Sequence, residues 1–182
     1  MSVILQSSGG GQITLQEPTT ASNFTQTLPA ATGTVVTTGS PQSGSVIQVV
    51  QGTTTTAVSN STTTYADTTL TATITPKFST SKVLIIIHQN GIDKYDGNSG
   101  SAMDLKIQKN GSDLITFLNF VGYTNTNLRL IIGSSSIAYL DSPASISALT
   151  YKTQFRNRAN ASQVMVQSND GYSTITLMEI AA

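Results

Sequence analysis

The stretch Thr69-Leu70-Thr71-Ala72-Thr73-Ile74-Thr75 alternates hydroxyl and apolar side chains without a break. A period of two is the pattern of a strand with one face buried and the other wet. The composition extends that reading to the whole chain. Of 182 residues, 29 are Thr and 23 are Ser, and strong helix formers are few. Thr is β-branched, stiff at χ1 and suited to a pleated surface. The chain is therefore expected to be all-β, which excludes a helical bundle and disfavours an α/β enzyme fold.

Other stretches add strands around this one. Val46 to Gln51 reads as a strand, and Val83 to Ile87 is an unbroken apolar run, the signature of a strand buried on both faces. Leu105–Gln108 and Leu114–Phe117 flank Asn110-Gly111, whose residue types suit the two positive-φ positions of a type I′ hairpin turn. Further strands are predicted at Leu128–Ile132, Ser136–Leu140, Leu149–Asn157, Gln163–Gln167 and Thr174–Ile180. About eight to ten strands between turn signals predict an antiparallel two-sheet sandwich of jelly-roll type.

The first part of the chain has a different character. Before Pro76 only Glu17 and Asp67 are charged, and Thr, Ser, Gly and Gln dominate. Extended stretches are predicted at Gln12–Gln16, Phe24–Leu28 and Thr34–Thr38, with too few apolar residues to close a core. The turn-rich Gly39–Gly44 marks a boundary, so residues 1–44 are expected to be an attachment and trimerisation arm and residues 45–182 a head domain.

Charge narrows the function. Nine Lys+Arg balance nine Asp+Glu, and only 10% of residues are charged against roughly 25% in an average domain. No general field draws in nucleic acid or an anionic membrane. The absence of Cys excludes disulfides, thiolate catalysis and cysteine metal sites. The N-terminal Met1–Gly11 has no secretory pattern, and no apolar run reaches the ~18 residues of a membrane span. A weakly charged β protein leaves its strand edges unguarded, so an oligomer is expected.

Groups that could do chemistry are sparse. His88 is the single histidine and follows an apolar run, as a structural or interface histidine does. No G-x-S-x-G elbow and no phosphate loop occurs. Asp93-Lys94-Tyr95-Asp96-Gly97-Asn98 resembles a calcium loop, but its spacing is wrong, with Tyr95 at the third position. No catalytic residue, metal site or cofactor is predicted. Lys152, Gln154, Arg156 and Arg158 share one face of a strand whose other face carries Tyr151, Thr153 and Phe155. That strip either contacts an acidic partner or a sugar, or is a solvated or inter-subunit face. Tyr95, Phe120, Tyr123 and Tyr172 lie in or near loops, where aromatics stack on carbohydrate or pack into an interface. The candidate contact residues are Lys152, Arg156, Arg158, Tyr95 and Tyr123.

Two stretches resemble tailed-phage virion proteins. Ile13-Thr14-Leu15-Gln16 followed by Ala21-Ser22-Asn23-Phe24-Thr25-Gln26-Thr27-Leu28-Pro29-Ala30-Ala31-Thr32-Gly33 is similar to a short module near the N-termini of phage fibre and head-appendage proteins. The second likeness starts at Tyr65-Ala66-Asp67-Thr68, runs through Ile74-Thr75-Pro76 and Ser79–Leu84 to Tyr139–Pro143, and ends in Ile175–Ile180; it resembles a β-sandwich head of virion proteins. The resemblance implies a homotrimer on the virion surface, made in the host cytoplasm and without enzymatic activity. It implies partners such as the major capsid protein or tail components, and possible contact with host surface glycan. A capsid decoration (cement) protein is the first expectation, and a short tail or head fibre the second. No shaft-like repeat occurs.

Overall fold

In a computed structural model the chain is described over residues 2–16, 19, 25, 30, 36–94, 100–159 and 162–182. It divides into two compact units, Met1–Val35 and Val36–Ala182. In the first, β1 (Ser2–Gln6) and β2 (Gln12–Gln16) form an antiparallel hairpin. β2 is the predicted strand. β1 escapes the sequence reading because Val3, Ile4 and Leu5 are consecutive and show no alternation. In register, Leu5 faces Ile13, and Leu15 lies on that same face, while Ile4 and Thr14 occupy the other. Ile4, Leu5, Ile13 and Leu15 are all exposed. Apart from Thr25, the stretch Phe24–Leu28 lies outside the described residues. Thr34–Thr38 is described from Val36, where Thr37 makes an isolated bridge to Ser40.

The second unit is built from β3 (Val46–Thr54), β4 (Val58–Asn60), β5 (Ala66–Ile74), β6 (Lys82–Lys94), β7 (Met103–Lys109), β8 (Ser112–Val121), β9 (Leu130–Asp141), β10 (Leu149–Asn157), β11 (Val164–Val166) and β12 (Ser173–Ile180). All pairings are antiparallel, and the fold is sandwich-like and all-β. One sheet has the order β5-β10-β7-β8. In the other, β9 pairs along one edge of β6, while β12 and then β11 occupy its opposite edge. β3 continues outward from β12, and β4 from β11. The β7–β8 hairpin turns at Asn110 and Gly111, with φ of 49° and 85°, as that sequence requires.

Burial follows the alternation. Leu70, Ala72 and Ile74 of β5 point inward, and Thr69, Thr71 and Thr73 point out. With Ile107 and Tyr151 they meet Val83, Ile85, Ile87, Ile175 and Leu177 of the facing sheet. A second cluster joins Ile92, Met103, Leu105, Phe155, Val164 and Val166. Burying each large aliphatic side chain contributes about 1.5–3 kcal/mol relative to exposure. Along β5, β6, β10 and β12, a polar layer separates the two clusters: Thr68, Gln89, Thr153 and Ser173 are buried, with Gln167 beside them. Thr153 Oγ1 donates to Gln89 Oε1 at 2.9 Å, and Gln89 Nε2 donates to Ser173 Oγ at 3.3 Å. Thr68 and Thr153 hydrogen-bond through their hydroxyls. At one margin the sheets approach so closely that a side chain on Gly52 would place its Cβ 2.0 Å from the Thr71 carbonyl oxygen.

Two expectations need correction. Val83–Ile87 is not buried on both faces: Val83, Ile85 and Ile87 are fully buried, but Leu84 is half-buried and Ile86 is 39% exposed. An antiparallel sheet covers one face with its partner sheet and leaves the other outward. That outward face carries one apolar row among polar neighbours. Val49, Met178, Leu84 and Leu140 stand directly opposite one another across β3, β12, β6 and β9. Leu128–Ile132 and Ser136–Leu140 are parts of a single strand, β9, which starts at Leu130 and bends where its register to β6 shifts around Ile92.

Candidate functional site

The sequence strip on β10 takes the orientation its alternation requires. Tyr151, Thr153 and Phe155 are buried, while Lys152, Gln154 and Arg156 are half-exposed. Arg158 follows at the strand end and is exposed. Each of the strip's cations is matched to a carboxylate. Lys152 lies 2.9 Å from Asp67, which also accepts from Gln154 at 2.6 Å. Arg156 and Arg158 share Asp104, with nearest contacts of 2.9 and 2.8 Å. Lys106, on β7 beside them, pairs with Asp113 at 2.8 Å.

Asp104 organises the far end of the strip. It is fully buried and also accepts from the Phe120 backbone N–H at 2.8 Å. Burial alone would raise its carboxyl, but Arg158, the Phe120 N–H and Arg156 outweigh that and hold it below the usual aspartate range. The Arg158 guanidinium is correspondingly pushed up by Asp104.

Tyr65, just before β5, and Phe120 of β8 bring aromatics to the basic face. Tyr65 has the Lys106 ammonium 3.9 Å and the Arg156 guanidinium 4.9 Å from its ring centroid. Arg158 sits 5.3 Å over Phe120, and Phe120 stacks on Tyr123 with centroids 4.6 Å apart and planes 20° from parallel. The sequence reading set aromatic and basic residues on opposite sides of β10. That holds for β10 alone, yet Tyr65 and Phe120 arrive from outside it. Phe120 is the residue whose importance was least legible. Its φ of 57° is an outlier for a bulky side chain. No local pattern encodes that conformation, which is set by the hydrogen bond to Asp104.

The candidate contact residues thus separate. Arg156, Arg158 and Tyr123 converge through Asp104 and Phe120. Lys152 stands apart, lining a shallow pocket of about 170 Å³ with Asp67, Thr69 and Thr71. Tyr95 and Asp96 lie outside the described residues. Asp93 is buried and engaged by Arg129 and by Ser168 Oγ at 3.1 Å. Among the described residues no group of three or more His, Asp or Glu is placed to hold a metal ion. His88 lies on the outer face of β6 with Nδ1 2.9 Å from Ser136 Oγ. Glu179 is buried beneath the turn between β5 and β6, accepting from the Lys77 and Phe78 N–H groups at 2.8 and 3.2 Å and from Gln48 at 2.6 Å. No helix among the described residues is long and apolar enough to cross a membrane.

No family model matches this chain, and no curated protein does.

Proposed function

We propose that the chain is a non-enzymatic structural protein of a tailed-phage virion: a homotrimeric capsid decoration protein whose N-terminal arm docks on the particle and whose jelly-roll head projects outward. The observation that carries this reading is the β1–β2 hairpin. A two-stranded hairpin is marginal in water by itself, and this one exposes Ile4, Leu5, Ile13 and Leu15. Such an element gains order by lying on a larger surface, which links its folding to docking. The resemblance of Ile13–Gln16 and Ala21–Gly33 to particle-attachment modules points the same way.

Other features support the finer points. Counting β3 with β4 and β11 with β12, the head has eight rows in two sheets, β3-β12-β6-β9 and β5-β10-β7-β8. That interleaved order is what a jelly roll requires. The outward row Val49, Met178, Leu84 and Leu140 favours an oligomer, because a contiguous apolar patch rimmed by polar residues is characteristic of protein contacts. The carboxylates of Asp67, Asp93, Asp104, Asp113, Asp141 and Glu179 are engaged by cations or amides, which favours structure over acid–base chemistry. The second reading, a short tail or head fibre, is favoured by the exposed Phe120–Tyr123 stack, a feature suited to surface recognition.

Antibody–gold labelling of intact virions, raised against residues 45–182, tests the proposal. Gold over the head supports decoration, gold confined to the tail supports the fibre, and unlabelled virions overturn both.

A further inference from the structure

We infer that Phe120, Tyr123 and Arg158 form a binding site for an acidic saccharide. The argument starts from Phe120. It is 47% exposed, and Tyr123 beside it is 48% exposed. The two rings stack on each other at the surface instead of turning inward. A bulky residue at φ 57° is a strained one, and strain of this kind persists only where the surroundings over-determine it. Here they do. The Phe120 N–H is tied to buried Asp104, and Val121 pairs with Met103 of β7. Beyond Tyr123, fully buried Lys94 donates to Thr124 Oγ1 and, at 3.1 Å, to the Thr126 carbonyl. The two aromatics are thus held between anchored points on either side, so the platform is formed before any ligand arrives.

Charge gives the ligand class. In the cluster around Asp104, the cations Lys106, Arg156 and Arg158 face the carboxylates of Asp104 and Asp113. Because Asp104 serves two guanidiniums, this cluster of described residues carries one more positive than negative charge, shared between Arg156 and Arg158, and Arg158 lies over the stack. One pyranose of an oligosaccharide lays its C–H face on the Tyr123 ring, which Phe120 backs, and the carboxylate of an adjoining residue meets the Arg158 guanidinium through charge-assisted hydrogen bonds. A neutral sugar gains only the first of these contacts. The inference goes beyond the particle assignment and stands whether the chain sits on head or tail.

The test is titration calorimetry of the full chain with tetrasaccharides containing galacturonate, mannuronate or glucuronate, with the methyl ester of each as the uncharged control. The expected result is binding of at least one acidic tetrasaccharide, weakened about tenfold by esterification. Phe120→Gly relieves the backbone strain while removing the ring, so it remains folded by circular dichroism and loses binding. Tyr123→Ala weakens binding about tenfold, and Arg158→Gln erases the preference for acid over ester. Absence of binding to all three acidic tetrasaccharides overturns the inference, as does full binding by Phe120→Gly. Equal affinity for acid and ester removes the role of Arg158 and overturns the acidic assignment. Tighter binding of an oligothymidylate, abolished in Phe120→Gly, replaces the saccharide with single-stranded nucleic acid.

Discussion

Arg158 Nε lies 2.8 and 3.0 Å from the two carboxylate oxygens of Asp104, joining an exposed guanidinium to a fully buried acid. Through this contact the surface stack is coupled to the interior. Arg158 covers Phe120, and the same carboxylate holds the Phe120 backbone.

Asp104→Asn is therefore expected to act on stability and surface geometry together. It removes the charge that two guanidiniums share and weakens the bond to the Phe120 N–H. The expected cost is about 2–4 kcal/mol, somewhat below the ~3–5 kcal/mol of a fully buried ion pair because both guanidiniums are partly exposed. Denaturant unfolding measures it, and an undiminished midpoint would show that Asp104 is structurally idle.

The polar layer between the two apolar clusters predicts a non-additive pair. Thr153→Val leaves the Gln89 carbonyl oxygen without its donor, at about 1–3 kcal/mol, while the Thr68 hydroxyl keeps the Thr153 backbone carbonyl and the Leu70 N–H. Thr68→Val removes the other side of the hydroxyl pair. The double variant is expected to cost less than the sum, since each single change already breaks the one hydroxyl–hydroxyl bond they share. A double-mutant cycle by chemical unfolding reads the difference, and strict additivity would mean the two hydroxyls are not coupled.

Acid should weaken the head along a defined course. Burial alone would raise the Glu179 carboxyl, but Gln48 and the Lys77 and Phe78 N–H groups hold it below the usual glutamate range. The Asp104 carboxyl is lowered as well. For a carboxyl depressed in the folded state, the stabilisation is complete at neutral pH. It begins to fall below about pH 5, as the unfolded chain takes up protons, and is gone once the folded carboxyl is itself protonated. Thermal melts between pH 7 and pH 3 should show a falling Tm, with a shallower fall in Glu179→Gln. Parallel profiles would remove Glu179 from this role.

The outward apolar row offers a test of the proposed trimer. Leu84→Lys places a charge at the centre of Val49, Met178 and Leu140, on a side chain that is not part of the interior. The fold should survive, and the mass in sedimentation equilibrium should drop toward that of one chain. An unchanged assembly mass would place the subunit contact elsewhere.

How much was legible depended on how local the cause is. The β5 alternation, the Asn110-Gly111 turn and the two faces of β10 were readable because side-chain direction follows from strand period and turn chemistry alone. Val83–Ile87 was misread because an apolar run looks the same whether its second face meets another layer or points outward. Thr68, Gln89 and Thr153 fall in phase with inward apolar residues, but their residue types point to solvent, since a buried hydroxyl or amide is tolerable only with partners that other strands provide. The strip was legible as a strip, but not its pairing with Asp67 and Asp104.

The sequence by itself determined an all-β chain with a distinct N-terminal segment, a head of alternating strands and a basic face on β10. These follow from short-range rules of propensity and alternation. Only the tertiary structure decided that Arg158 and Phe120 would meet at Asp104, because those contacts span 54 and 16 residues along the chain. Contacts over such separations are set by which strands pair and in what register, and no local pattern specifies that in advance.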